Sequence, residues 1–260
     1  MKIISWNVAG LRAKLKKENF HNFIKNTDAN IICLQETKAE ENQIKLTQFI
    51  CEKFPFRFWN SSDGTTQKKG FSGTSIWSSI KPIHTKPTPG FDNEGRTVTL
   101  EFDDFILICV YTPNSQSMTS ERFKFRIENW DKNFREYINE QNKIKSTIVC
   151  GDLNVINLEI DMYNPKKYKN KVAGFFDLER ESFNKYLDDG FVDVFRNIYP
   201  NEENKYTYWN QIVKTCREKN MGWRLDYFLA CNKLLPKIND CNIITNQLGS
   251  DHCPIYLILD

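Results

Sequence analysis

Short apolar runs separated by polar loops dominate this chain. The runs Ile3 to Val8, Ile31 to Leu34, Thr74 to Ser78, Thr97 to Phe102, Ile106 to Tyr111, Thr147 to Cys150, Leu225 to Ala230 and Ile255 to Leu259 have the length and composition of strands. The last alternates, with Ile255, Leu257 and Leu259 apolar, as a strand with one buried face does. Asp103-Asp104 lies between two runs and predicts a hairpin. A different period appears from Glu121 to Asn139, where Phe123, Ile127, Trp130, Phe134 and Ile138 recur at helical spacing and predict a helix lying on a sheet. A second helix is predicted after Asp177 as N-cap, with Glu179 in its first turn, Phe183 and Leu187 on one face and Gly190 as its stop. Strands and helices do not alternate strictly, so the pattern favours an α/β sandwich of two packed β-sheets with helices outside over a doubly wound parallel sheet. No internal repeat or low-complexity linker divides the 260 residues, and a single domain spanning 1–260 is expected.

Polar residues gather at the ends of these runs. "KIISWN" ends at Asn7, "IICLQE" at Glu36, "ILICVYTPN" at Tyr111 and Asn114, and "IVCGDLN" at Asp152 and Asn154. Near the C-terminus the order inverts: "RLDYFLA" and "SDHCPIYLIL" place Asp226, Asp251 and His252 near strand starts. If the late strands run antiparallel to the early ones, all of these groups reach one rim. Such a set suits phosphodiester hydrolysis. Glu36 and Asp251 are hard oxygen ligands of the kind magnesium prefers, Asp152 can activate a water, and the asparagines can donate to charged oxygens. A histidine paired with Asp226 would have a fixed tautomer and favour its protonated form, giving an electrophilic clamp on phosphate.

Composition narrows the class. Hydrophobic residues at 40% and charged residues at 27% are ordinary for a soluble protein, and nothing approaches the roughly 18 apolar residues of a membrane span. The net charge of +3 is a weak sign of an anionic partner. None of the eight cysteines forms a C-x-x-C pair, and Cys33, Cys109 and Cys150 sit inside apolar runs, so reduced, buried thiols are expected rather than zinc or disulfides. "IISWNV" follows Met1-Lys2 directly, and no secretory signal or basic extension is visible, so a bacterial cytoplasmic location is expected; a monomer is the expected assembly. Neither G-x-S-x-G nor G-x-x-x-x-G-K-[ST] occurs, which leaves a serine hydrolase or P-loop enzyme without support.

The segments "ISWNVAGLRA", "LQETK", "GFSGTSIWS", "VYTPNS", "CGDLNV", "GWRLDYFL" and "LGSDHCPI" resemble, in order and along nearly the whole chain, the exonuclease III class of apurinic/apyrimidinic endonucleases within the endonuclease/exonuclease/phosphatase superfamily. The resemblance implies a four-layered, DNase I-like α/β sandwich. It also implies a Mg2+-dependent repair nuclease (Mn2+ as substitute) that kinks damaged double-stranded DNA, extrudes the abasic sugar and cuts on its 5′ side, with 3′-end processing as a side activity. Carried onto these residues, Glu36 is the principal metal ligand, aided by Asp251, Asn7, Asp152 and Asn154. Asp152 activates water; Asn7, Tyr111, Asn114 and Asn154 orient metal, water or phosphate; His252 with Asp226 contacts the phosphate. Tyr208, Trp223 and Leu225 line the abasic pocket, and Arg12, Lys38, Gly70, Phe71 and Arg96 meet or support the DNA face.

Three segments depart from the family pattern. Ala9 stands where relatives often carry Asp or Asn, which alters an auxiliary metal-site group. "NPKKYKNKVAGF" has an extra residue, which leaves open whether Asn170 replaces a phosphate-binding amide. "SQSMTS" after Asn114 is longer and has no arginine. Competing readings are a phosphatase of inositol or lipid phosphates, a predominantly 3′–5′ exodeoxyribonuclease, and a DNA-binding module without catalysis. The first would not need the "YTYW" and "GWRLDYF" pocket.

Overall fold

The chain carries the strands β1 (Lys2–Asn7), β2 (Ile31–Gln35), β3 (Phe56–Asn60), β4 (Thr74–Ser78), β5 (His84–Thr85), β6 (Thr97–Glu101), β7 (Ile106–Tyr111), β8 (Thr147–Asp152), β9 (Phe191–Asp193), β10 (Asp226–Cys231), β11 (Ile238–Ile243) and β12 (Ile255–Leu259). They are seen in a computed structural model that describes residues 1–65, 67–213 and 215–260. Two six-stranded mixed sheets result, ordered β11-β12-β1-β2-β4-β3 and β5-β6-β7-β8-β10-β9. Every predicted strand is present. The predicted hairpin closes where Phe102 N donates to Phe105 O across Asp103-Asp104.

The sheets pack face to face through side chains that alternate along each strand. Ile3, Cys33, Ile76, Cys109, Cys150 and Leu257 belong to the shared interior, while Ile4, Trp6, Ile32, Leu34 and Trp77 belong to a second core on the other face of the first sheet. Phe20 and Ile24 of the helix Glu18–Asn26 and Ile50 of the helix Gln48–Lys53 cover that face. Trp130, Phe134 and Ile138 cover the second sheet together with Phe183 and Tyr186 of the helix Asp177–Asp188. The result is four layers, helix, sheet, sheet, helix. Each fully buried Ile, Leu or Phe contributes roughly 1.5–3 kcal/mol. All eight cysteines are free thiols, seven of them buried and Cys51 half-buried.

The helices differ from expectation in three places. Helical backbone starts at Glu121 as predicted but continues to Ile144, with a π-helical stretch over Phe125–Trp130. That stretch shifts the inward face by one residue, so Arg126 is buried where the period assigns Ile127, and Ile127 is half-exposed. Asp177 is the first helical residue and not the N-cap; its backbone N–H is satisfied by Asn170 Oδ1 at 2.9 Å. The Gly190 stop holds, with φ at +97°. The strands absent from the prediction, β3, β5, β9 and β11, are edge or next-to-edge strands that are short, half-buried or polar. Among the described residues no helix is long and apolar enough to cross a membrane.

Strand direction positions the site. β1 runs parallel to β2 and β7 parallel to β8, so the C-terminal ends of these central strands share one rim. β12 and β10 run antiparallel to β1 and β8 and bring their N-terminal ends to it. Gly151 makes the closest approach in this arrangement. Its φ is +142°, and a Cβ there would lie 1.9 Å from Val110 O of the neighbouring strand. Gly151→Ala should therefore destabilise the fold by roughly 2–4 kcal/mol, because the parallel β7–β8 ladder must part. A urea midpoint equal to that of the parent would contradict this account.

Candidate active site

The centre of the rim is built from strand ends. Asp152 ends β8 and Asp226 begins β10, and the two are register partners across the antiparallel ladder. His252 lies beside them, in the segment leading into β12. Its Nδ1 is 2.7 Å from Asp226 Oδ2 and its Nε2 is 3.7 Å from Asp152 Oδ2. The ring is held from several sides. Trp6 Nε1 donates to His252 O at 3.2 Å, Tyr208 packs on the imidazole at 4.9 Å between centroids, and Thr207 Oγ1 accepts from both Leu225 N and Asp226 N. All three titratable side chains are nearly fully buried.

Burial alone would neutralise the histidine, but the adjacent carboxylates of Asp226 and Asp152 outweigh it and push its pKa up to about 10. Burial pushes Asp152 the other way, up to about 7; the charges of Asp226 and Glu36 add to the rise, and the His252 charge opposes it. His252 is thus a fixed imidazolium, and Asp152 is a carboxylate close to the proton affinity a general base needs near neutral pH.

Asn7, at the end of β1, joins this centre to Glu36. Its Nδ2 donates to Asp152 Oδ2 and to Glu36 Oε1, both at 2.9 Å, while its Oδ1 accepts from Ala9 N. Glu36 follows β2 in left-handed backbone, with φ at +52°. Burial would raise its pKa, yet the ammonium of Lys38, 2.6 Å from Oε2, and the Asn7 amide hold it below the usual carboxylate range. Tyr111, at the end of β7, is pushed well above its ordinary value by burial and by the Glu36 charge, so its hydroxyl stays protonated and able to donate. Asn154 bonds Thr112 O and accepts from Asn114 Nδ2. Asp251 is half-exposed and lies 3.1 Å from Ser250 Oγ, which also donates to Asn7 O.

Two groups of donors could hold a cation. The ligand atoms of Asp152, Asp226 and His252 all lie within 4.8 Å of one another. There, however, both ring nitrogens of His252 face carboxylates, Nδ1 at 2.7 Å from Asp226 Oδ2 and Nε2 at 3.7 Å from Asp152 Oδ2. Glu36 is the better fit: its carboxylate faces the cleft and already attracts the Lys38 ammonium, and a carboxylate oxygen is the hard ligand a divalent ion such as magnesium prefers.

An aromatic box adjoins His252. Tyr208 and Trp223 form a local antiparallel bridge with ring centroids 5.5 Å apart, and Leu225 lies beneath with Ile156, Met162 and Phe175. The last three were not foreseen, because no local pattern marks them. Behind the box, Asp161 is completely buried and accepts from Arg224 and Arg196, and Arg224 also bonds Asp193. Arg126 likewise ties the Asn114 and Asn154 loops together by donating to Pro113 O and Leu153 O while paired to Asp131.

On the other flank a cleft of about 590 Å3 is lined by Arg12, Glu36, Lys38, Gly70, Phe71 and Tyr111 and also by Lys68, Lys69 and Ser72. The Lys68-Lys69 doublet is visible in the sequence as a charge pair but lies outside the motifs that mark the site. Arg96 is buried and donates to Tyr111 O, its guanidinium 4.6 Å over the Tyr111 ring and 5.5 Å over Phe71, so it supports this face from behind. Asn170 donates to Asp177 Oδ2 and accepts from Asp177 N, so its amide is committed to capping the following helix.

Residues 4–252 match the model of the Endonuclease/Exonuclease/phosphatase family. The chain belongs to this family. It is a hydrolase of the exonuclease III type, as the order of its motifs suggested. It is 43% identical over 263 residues to an exodeoxyribonuclease of Bacillus subtilis, with both chains fully covered. To the DNA repair nuclease APEX1 of Danio rerio it is 41% identical, with all of this chain and 82% of the relative covered. The fold superimposes on an AP endonuclease from Archaeoglobus fulgidus with a TM-score of 0.87 at 28% identity, covering 100% of this chain and 99% of the other.

In the metal-free protein His252 should stay an imidazolium through neutral pH and lose its proton near pH 10. Because the folded pKa lies above the ordinary 6.5, this proton contributes stability that is complete below about pH 6.5 and is lost as pH rises through about 10. Ring 15N shifts followed across that range test the point. A midpoint near 6.5, or one unmoved by Asp226→Asn, would contradict it.

Proposed function

We propose that this chain is a DNA base-excision-repair nuclease that uses magnesium, with manganese as substitute, to hydrolyse the phosphodiester 5′ to an abasic site, and that also processes 3′ ends. The observation that carries the reading is the Asp152–His252–Asp226 centre standing between an aromatic box and a basic cleft. A phosphatase of small soluble phosphates has use for the centre but not for the box.

Each side chain has a physical task in this reading. Arg12, Lys38, Lys68 and Lys69 attract the phosphate backbone and set its register. Tyr208, Trp223 and Leu225 form the apolar wall that receives a sugar lacking its base. His252, oriented by Asp226, donates from Nε2 to a non-bridging phosphate oxygen, and its fixed charge meets the negative charge that grows as water adds. The Tyr111 hydroxyl donates to the same phosphate. Asp152 accepts the proton of the attacking water, while Asn7 and Asn154 hold its carboxylate in place. Glu36, with Asp251, Asn7, Asp152 and Asn154 around it, would hold a divalent ion, which when bound would supply charge neutralisation for the reaction.

The experiment is cleavage of a labelled duplex bearing one tetrahydrofuran abasic analogue, with magnesium or with chelator, beside an undamaged duplex with a recessed 3′ end. Incision 5′ to the analogue should require the metal and fall by about 10²–10⁴-fold in Asp152→Asn, the range for loss of a general base. Cleavage of only the undamaged 3′ end would favour an exodeoxyribonuclease. Cleavage of neither would sink the nuclease reading.

A further inference from the structure

The loop that gives Lys68 to Ser72 to the cleft gives Gln67 to a second cavity, of about 370 Å3, that no step above uses. Its volume lies within the range of small-ligand clefts. Three of its walls are aromatic. Phe91 meets Trp130 edge to face at 5.3 Å between centroids, and Phe125 lines the same space under the guanidinium of Arg122, 4.8 Å above its ring. Trp130 is completely buried, yet its Nε1–H has no hydrogen-bond partner. A buried indole N–H ordinarily finds an acceptor, and leaving one unpaired costs about 1–3 kcal/mol.

The charges at this cavity are compensated. Glu94 accepts from Arg122 Nη1 at 2.6 Å and from Arg96 Nε at 2.5 Å, and Glu121 is paired with Lys124. A phosphate would therefore gain little here, whereas the neighbouring lysines of the cleft are suited to one. A neutral, planar ring that carries hydrogen-bond acceptors fits: it can stack on an aromatic or guanidinium plane, and a small turn of the buried Trp130 ring toward the cavity gives its indole N–H an acceptor. Glu94 also links the cavity to the catalytic rim, because its partner Arg96 stacks on Tyr111 and donates to Tyr111 O.

We propose that this cavity receives an unpaired nucleobase from the DNA strand whose phosphates lie on Lys68 and Lys69, so that the protein grips single-stranded DNA continuous with its duplex substrate. The proposal rests on the DNA reading of the cleft. A base in a duplex has its edge occupied and its faces stacked, so a short single-stranded extension is the form that can enter.

The test uses the whole protein in chelator, with a blunt abasic duplex and the same duplex carrying a short single-stranded thymidine extension at either end. The Trp130 indole resonance is assigned by its loss in Trp130→Phe. It should shift with an extended duplex and not with the blunt one. Phe125→Ala and, independently, Gln67→Ala should weaken binding of that extended duplex by about tenfold and leave the blunt duplex within about twofold. A silent Trp130 resonance, or variants that affect both duplexes equally, overturns the proposal while incision of the blunt duplex in magnesium stands. Absence of any incision overturns the DNA reading and this inference with it.

Discussion

Asp152 and Asp226 face each other across one rung of a ladder in the protein interior, and everything else at the site depends on how that repulsion is resolved. Two buried carboxylates so placed would ordinarily keep one proton between them. Here the cation is His252, whose two ring nitrogens point at the two acids. The pairing is one-sided: a tight bond to Asp226 and a longer approach to Asp152 leave Nε2 as the group that can turn to an incoming anion. The same asymmetry leaves Asp152 with a moderate proton affinity, the state in which a carboxylate is useful as a base. Orientation and chemistry are thus divided between two acids of like type by which ring nitrogen each one meets.

Other buried ions steady the surroundings. Arg126 draws the Asn114 and Asn154 loops together from inside a π-helical turn, and Arg224 with Arg196 converges on Asp161 behind the aromatic box. Taking such charges out of water is costly and is offset only where nearly every donor has a partner. Their benefit is geometric. Irregular backbone cannot be held by ladder hydrogen bonds, and a guanidinium with five donors can fasten several carbonyls of different segments at once. Several residues of the candidate site sit on such irregular segments, among them Glu36, Lys38 and Asn154 with φ near +50°.

Much of this could be read from the chain. Central strands are apolar on both faces and announce themselves as runs, and the inversion of polar ends between "CGDLN" and "RLDYF" gave the antiparallel relation that brings Asp152 to Asp226. Edge strands could not be read so easily, since β11, with the sequence "INDCNI", satisfies solvent on one side and carries polar residues there. The π-helical turn was hidden because a period of 3.6 has no place for an inserted residue, and so the burial of Arg126 was missed. Asn170 shows a different limit: an amide can serve a ligand or a helix end, and only the position of Asp177 decides that it caps. Met162 and Phe175 join the box through contacts distant in sequence, for which no local signal exists.

Ala9, the loop after Asn114 and the 164–174 segment all fall outside the strand ends that build the candidate site. Ala9 has its backbone N–H satisfied by Asn7 Oδ1, so the loss of a polar side chain there leaves the link between Asp152 and Glu36 intact. The loop after Asn114 ends in Ser120, which caps the next helix by accepting from Phe123 N at 3.0 Å, before the Arg126 anchor. The altered 164–174 segment returns through Gly174 O, which accepts from Ile156 N, and so still packs against the box. Each of the three segments therefore leaves the links among Asp152, His252, Asp226, Asn7 and Glu36 intact.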